Sequence, residues 1–185
     1  MILLSALALA AAAPPAPKPK GWNEDEVYCV ADKLTAEQAY EAADLVLDDS
    51  AASLAELGDL TSAARDACAK QWKWDSKRGS IATLIAAGDA GMAIAEDELK
   101  GRFTPDRLQQ LFSKLSKDDQ RAFGLKGMDD FSAAQRTAFN ARLDAFLERE
   151  GVKSGGEADA VVSYFLSIAR AAQGRAMWLH LLEGE

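Results

Sequence analysis

Residues 76–100 read SKRGSIATLIAAGDAGMAIAEDELK. Apolar residues recur here at helical spacing, and Ile81, Leu84, Ile85, Gly88, Met92, Ala95 and Leu99 form one stripe. Between Ile81 and Ala95 the one strongly polar side chain is Asp89. A helix that is apolar nearly all round has to be covered on several sides. Its alanines and glycines allow neighbouring helices to come close. The stretch predicts a buried helix, from about Ser76 to Lys100, at the centre of an all-α fold.

Downstream, Gly101 ends that helix, and Thr104-Pro105 supplies a cap followed by a proline in the first helical position. Leu108, Leu111, Phe112 and Leu115 give the next helix its apolar face. Ser116 and Asp119 open a short helix that ends near Phe123 and Gly124. Ser132 to Gln135 is a capping box, and its helix carries Phe139, Leu143, Phe146 and Leu147 before stopping at Gly151. After the joint Ser154-Gly155-Gly156, a last helix runs from about Glu157 to Leu182. It has two apolar stripes: Val161, Phe165, Ile168, Ala172, Ala176 and Leu179, then Tyr164, Ala171, Gly174 and Trp178. Asp159, Ser163, Arg170 and Gln173 make its polar strip. It is the second candidate for the centre of the bundle.

Upstream, Asn23 caps a helix whose first turn, Glu24-Asp25-Glu26, suits the positive end of the helix dipole. Val27, Val30, Ala31 and Leu34 follow at helical spacing, with Cys29 at the edge of the stripe. Thr35 to Gln38 is another capping box, opening a helix with Ala39, Tyr40, Ala43, Val46 and Leu47 on one face. Asp48-Asp49-Ser50 and Gly58-Asp59 bracket a short apolar turn with Leu54 and Leu57. The helix after it places Leu60, Ala64, Ala67, Cys68 and Trp72 on one side. No alternating run is long enough for a strand. The expected fold is a compact all-α bundle of about seven helices, with residues 22–185 as one domain.

The N-terminus sets how the two cysteines are read. Met1 to Ala13 is apolar apart from Ser5, fits a secretory h-region and is too short to span a bilayer. Ala8-Leu9-Ala10 and Ala10-Ala11-Ala12 both offer the small-x-small pattern of signal cleavage. Residues 14–21 then form a Pro/Lys-rich leader. The expectation is a signal peptide over residues 1–13 and a periplasmic or secreted protein. No later stretch reads as a transmembrane helix. In an exported chain an even pair of cysteines makes one disulfide, Cys29 to Cys68. Their spacing is far from a paired-cysteine redox or zinc motif.

Composition narrows the partners. The 185 residues carry a net charge of −8, which repels the phosphates of nucleic acids and of anionic membranes. His180 is the single histidine and lies near the chain end, with no nucleophile motif to serve. The acidic clusters Asp48-Asp49, Asp129-Asp130 and Glu96-Asp97-Glu98 lack calcium-loop spacing and read as caps or solvated surface. The sequence assigns no catalytic residue, metal or cofactor. Two features stand out. Trp72, Lys73, Trp74, Lys77 and Arg78 form a dense aromatic and basic patch, a candidate surface for a ligand or partner, or a set of packing and solvated residues. Asp89 and Arg170 are candidate buried polar groups, each able to serve the other; the plainer reading puts Asp89 on an exposed strip with Arg78, Ala82, Ala93 and Glu96. The expected function is a non-enzymatic binding or protein-interaction module of the cell envelope, its partner another envelope protein or an envelope polymer. The alternatives are a carboxylate-dependent hydrolase of a cell-wall polymer, with Trp72 or Trp74 as sugar platform, and a structural or stress-related protein without a ligand.

Overall fold

A computed structural model describes residues 21–48 and 50–183. The signal peptide expected over 1–13, and all of the expected leader but Gly21, lie outside the described residues. Within them the chain forms nine α-helices and no strand. In order these are α1 (Glu24–Val27), α2 (Ala36–Asp48), α3 (Ala51–Leu60), α4 (Ser62–Trp72), α5 (Ser76–Glu98), α6 (Pro105–Lys114), α7 (Lys117–Ala122), α8 (Ala133–Arg149) and α9 (Gly156–Glu183), with a 3-10 turn at Ala31–Lys33.

Local chemistry starts most of these helices where it should. Asn23, Ser50, Asp75, Thr104, Ser116 and Ser132 each accept a backbone N–H of the first turn. Both capping boxes form: Gln135 returns a bond to the Ser132 N–H at 2.8 Å, and Gln38 does the same for Thr35 at 3.0 Å.

The centre is the antiparallel pair α5 and α9, which share the largest helix interface. Every residue from Ile81 to Gly88 is buried. The two backbones approach closely because glycine lines the seam. A Cβ on Gly88 would sit 2.8 Å from the Ala171 nitrogen and 2.9 Å from the Ser167 carbonyl oxygen. A Cβ on Gly174 would meet Ile85 Cγ1 at 2.7 Å. Three apolar clusters surround this seam. One joins the far end of α5 to α6, α7, α8 and the first half of α9, with Phe123 edge-on to Phe139 at 5.5 Å and to Phe165 at 5.6 Å. A second gathers α1, α4, the start of α5 and the end of α9. The third lies under α2 and α3 against Leu84 and Ala87.

The Cys29–Cys68 disulfide is present, with Cα atoms 6.0 Å apart, inside the second cluster. Cys68 is on α4, as its inward position in the sequence pattern implies. Cys29 is not on a helix: α1 stops at Val27, and the chain turns through Tyr28 before the 3-10 segment. Two helices, rather than one, separate the cysteines, because the turn expected around Leu54 and Leu57 is the ten-residue α3 capped by Ser50. No helix of the described residues is long and apolar enough to cross a membrane.

Candidate binding site

The outer side of α9 is where the packing stops short. Of its two predicted stripes, Tyr164, Ala171, Gly174 and Trp178 are buried, whereas Ala172 and Ala176 on the other are exposed. The central seam takes the first stripe and leaves the later half of the second facing outward. Met177, beside it, is 41% exposed, a large apolar side chain on an open face.

Neighbouring elements turn this face into two hollows. The first, of 420 Å³, lies between α3, α5 and α9, with Leu54, Leu57, Ile81, Leu84 and Met177 in its walls. The second, of 390 Å³, lies between α6, α7 and α9, against Phe112, Ala169 and Ala172. Leu125 and Gln173 belong to both. The Leu125 N–H donates to Gln173 Oε1 at 2.8 Å, pinning the turn at 124–127 over α9 and dividing the trough.

Charge around the trough is one-sided. Arg65, Lys77 and Lys126 line the first hollow, and Lys117 and Arg121 the second. No Asp or Glu is among the residues lining either. Arg65 is held in place: Nη2 donates to the Gly58 carbonyl at 2.6 Å and its stem lies against Gly79. Its Nε is buried and meets no acceptor among the described residues.

The aromatic and basic patch foreseen in the sequence is dispersed by the fold. Trp74 is 8% exposed, packs edge-on to Trp178 at 5.5 Å and donates its Nε1–H to Glu26 at 2.8 Å. It is core, and the part-buried Trp72 packs against the same cluster. The helical stripe that places Trp72 beside Cys68 holds, and Trp74, outside that stripe, is the more deeply buried of the two. The cause is Lys73, which ends α4 in the left-handed conformation (φ 58, ψ 41) and swings the chain back so that Trp74 points inward. Lys73 itself is exposed and Arg78 half-buried. Of the five patch residues, Lys77 lines the first hollow, and the other four line neither part of the trough.

Asp89 and Arg170 also part company. Asp89 pairs with Arg175, with Nη2 2.5 Å from Oδ1, and the Arg175 guanidinium lies 6.0 Å from the Tyr28 ring centroid. The exposed strip does not exist, since Ala82 is fully buried and Asp89 is half-buried. Desolvation pushes the Asp89 carboxyl above its ordinary range despite Arg175. Burial works against the Arg175 charge too, but Asp89 and Tyr28 more than offset it and raise its pKa. Arg170 is 3% exposed rather than part of a polar strip, and its charge is felt at Asp48.

Elsewhere, His180 is exposed and 4.0 Å from Glu183. Acidic side chains come together in two concavities: one of 650 Å³ lined by Asp144 and Glu148 of α8 and Asp159 of α9, and one of 80 Å³ lined by Asp44 of α2 and Glu98 of α5. Neither tryptophan of the proposed sugar platform lines either of them. Among the described residues no cluster of three His, Cys, Asp or Glu side chains is placed to hold a metal. The residues that make the trough, Arg65, Leu84, Leu125, Gln173 and Met177, carry no joint signal in the sequence, because four separate elements supply them.

No family model matches the chain, and no solved structure matches it.

Proposed function

We propose that the protein is an exported, non-enzymatic binding module of the cell envelope, and that the trough along α9 is its binding face. The observation that carries this reading is the combination of an open, mostly apolar hollow and a lining whose charged residues are all basic, on a chain of net charge −8. Two further facts support it. A buried disulfide forms and persists in an oxidising compartment. The apolar N-terminal run fits a secretion signal.

Two measurements test it. Intact mass spectrometry of the protein from fractionated cells is expected to find a chain cleaved after the Ala-rich run, two hydrogens lighter than its reduced form. A full-length, reduced chain in the cytoplasm refutes export. A photo-crosslinking amino acid in place of Met177 is expected to give an adduct in the envelope that the same probe at the exposed residue Ala55 does not. Equal labelling at both positions refutes the binding face.

The hydrolase reading keeps one observation in its favour, the concavity shared by Asp144, Glu148 and Asp159. Two acids across a scissile bond are what glycoside hydrolysis uses. Asp144→Asn and Glu148→Gln would then each abolish release of soluble fragments from a cell-wall polymer. A wild-type protein that releases none ends this reading.

A further inference from the structure

We propose that the hollow between α3, α5 and α9 binds a single-chain amphiphile with an anionic head, its chain against Leu57, Ile81 and Leu84 and its head between Lys77 and Arg65. The inference rests on the binding-module reading above and names the class of ligand.

Size, surface and charge agree on this occupant. The volume of 420 Å³ lies within the range of about 300–1,000 Å³ typical of small-molecule sites, which are mostly apolar with a few placed polar groups. The placed groups here are cationic. A neutral apolar ligand gives them no role, and a cationic one is repelled. Arg65 adds a specific point: the Gly58 carbonyl holds its guanidinium in place in the wall of the hollow. A carboxylate or phosphate oxygen meets such a fixed guanidinium with a charge-assisted hydrogen bond. Met177, unbranched and exposed at the edge, suits an adaptable contact with an alkyl chain.

The division of the trough argues against a docked helix. A partner helix needs one continuous groove for residues spaced along its face. The Leu125–Gln173 hydrogen bond and the turn it holds interrupt the path between the two hollows. A flexible chain with one head fits a single compartment.

Calorimetric titration of the purified mature protein tests this with three probes of one chain length: decanoate, decanol and decyltrimethylammonium, all below micelle formation. Decanoate is expected to bind at least about tenfold more tightly than either of the others, as one charge-assisted hydrogen bond allows. Lys77→Glu is expected to remove that preference. Lys77 is exposed in the first turn of α5, where an acid suits the dipole, so the variant keeps its fold. Lys70→Glu, which changes an exposed lysine lining neither hollow, is expected to leave the preference intact. Equal affinity for all three probes overturns the inference, as does an equal response to the two lysine variants. If decanoate does not bind while the Met177 crosslink persists, the amphiphile falls and the binding module stands. If both are silent, both fall.

Discussion

One glycine tests the account of how the bundle is held together. Gly88 and Gly79 lie on the same helix, and both are buried. Replacing either by alanine gains helix propensity, worth roughly 0.5–1 kcal/mol. What the new methyl meets differs. At Gly79 its nearest neighbours are Arg65 side-chain atoms at 3.5 Å and beyond, an ordinary contact. At Gly88 they are backbone atoms of α9, the Ala171 nitrogen at 2.8 Å and the Ser167 oxygen at 2.9 Å, which no rotamer change can move. The helices would have to separate by about half an ångström, and a gap of that size forfeits about a quarter of each dispersion contact along the seam. Overpacking of this kind costs about 1–3 kcal/mol. Gly79→Ala should therefore stabilise by about 0.5 kcal/mol, while Gly88→Ala should lose about 1–2 kcal/mol after the propensity gain. For a domain of this size each kcal/mol shifts the melting temperature by roughly 2–4 °C. Thermal and urea unfolding under non-reducing conditions would show the two variants moving in opposite directions. If Gly88→Ala is as stable as Gly79→Ala, the α5–α9 seam is not set by backbone contact and the description of the centre is wrong.

Other perturbations reach other parts of the structure. The disulfide closes a loop of 39 residues, for which chain entropy predicts about 4 kcal/mol, so Cys29→Ser/Cys68→Ser should lower the unfolding free energy by about that much, with reductant reproducing the loss in the wild type but not in the variant. Arg175→Met strands the half-buried Asp89 carboxylate and should cost about 2 kcal/mol near neutral pH. Because the folded-state pKa of Asp89 is raised, stability falls as pH rises from the ordinary carboxylate value through the folded one; the Arg175→Met deficit should therefore shrink near pH 4, and a constant deficit in urea titrations would count against the pairing. Glu150 behaves in the opposite sense: the Lys114 and Arg107 bonds hold its pKa down, so its contribution is present above the unfolded value and lost as pH falls through the folded one, and Glu150→Gln should flatten acid unfolding monitored by circular dichroism. Lys73→Gly, at φ 58, should stabilise by about 1 kcal/mol, which equilibrium unfolding would register.

What the sequence revealed and what it hid divide along the range of the interactions involved. Helix starts were legible because caps act over three residues, as at Ser132 with Gln135 and Thr104 with Pro105. The buried character of α5 was legible because it is a local composition. The cysteine pair was legible because only one pairing exists. Failures begin where one backbone residue redirects the chain. Lys73 in the left-handed conformation turns Trp74 into the core beside Trp178, and no periodicity carries a φ angle. Ser50 was read as part of a turn, although its cap and the spacing of Leu54, Leu57 and Leu60 specify α3. Asp89 was recognised as unusual, yet its partner Arg175 is 86 positions away, and Arg170 stood out instead because both were sought by polarity alone. The two stripes of α9 were both visible, but which one the bundle would cover depends on where Gly88 lets α9 lie.

The trough follows from that choice. Glycine in the seam draws α5 and α9 together over Ala171 and Gly174, and the outward stripe is then left to whatever else reaches it. α3 approaches from one side and α6 and α7 from the other, and Gln173 holds the 124–127 turn between them. Folding alone would be served by any side chains in the gap, and in a chain with 29 acidic and 21 basic residues acids would be the commoner arrivals. Instead the charged side chains lining the two hollows are Arg65, Lys77, Lys117, Arg121 and Lys126, supplied by α4, α5, α7 and the 124–127 turn, while Asp118, which pairs with Arg121, lines neither. Self-repulsion among those cations lowers the stability of the empty trough. An anionic occupant reverses that term, so the charge arrangement opposes the empty state and favours the filled one.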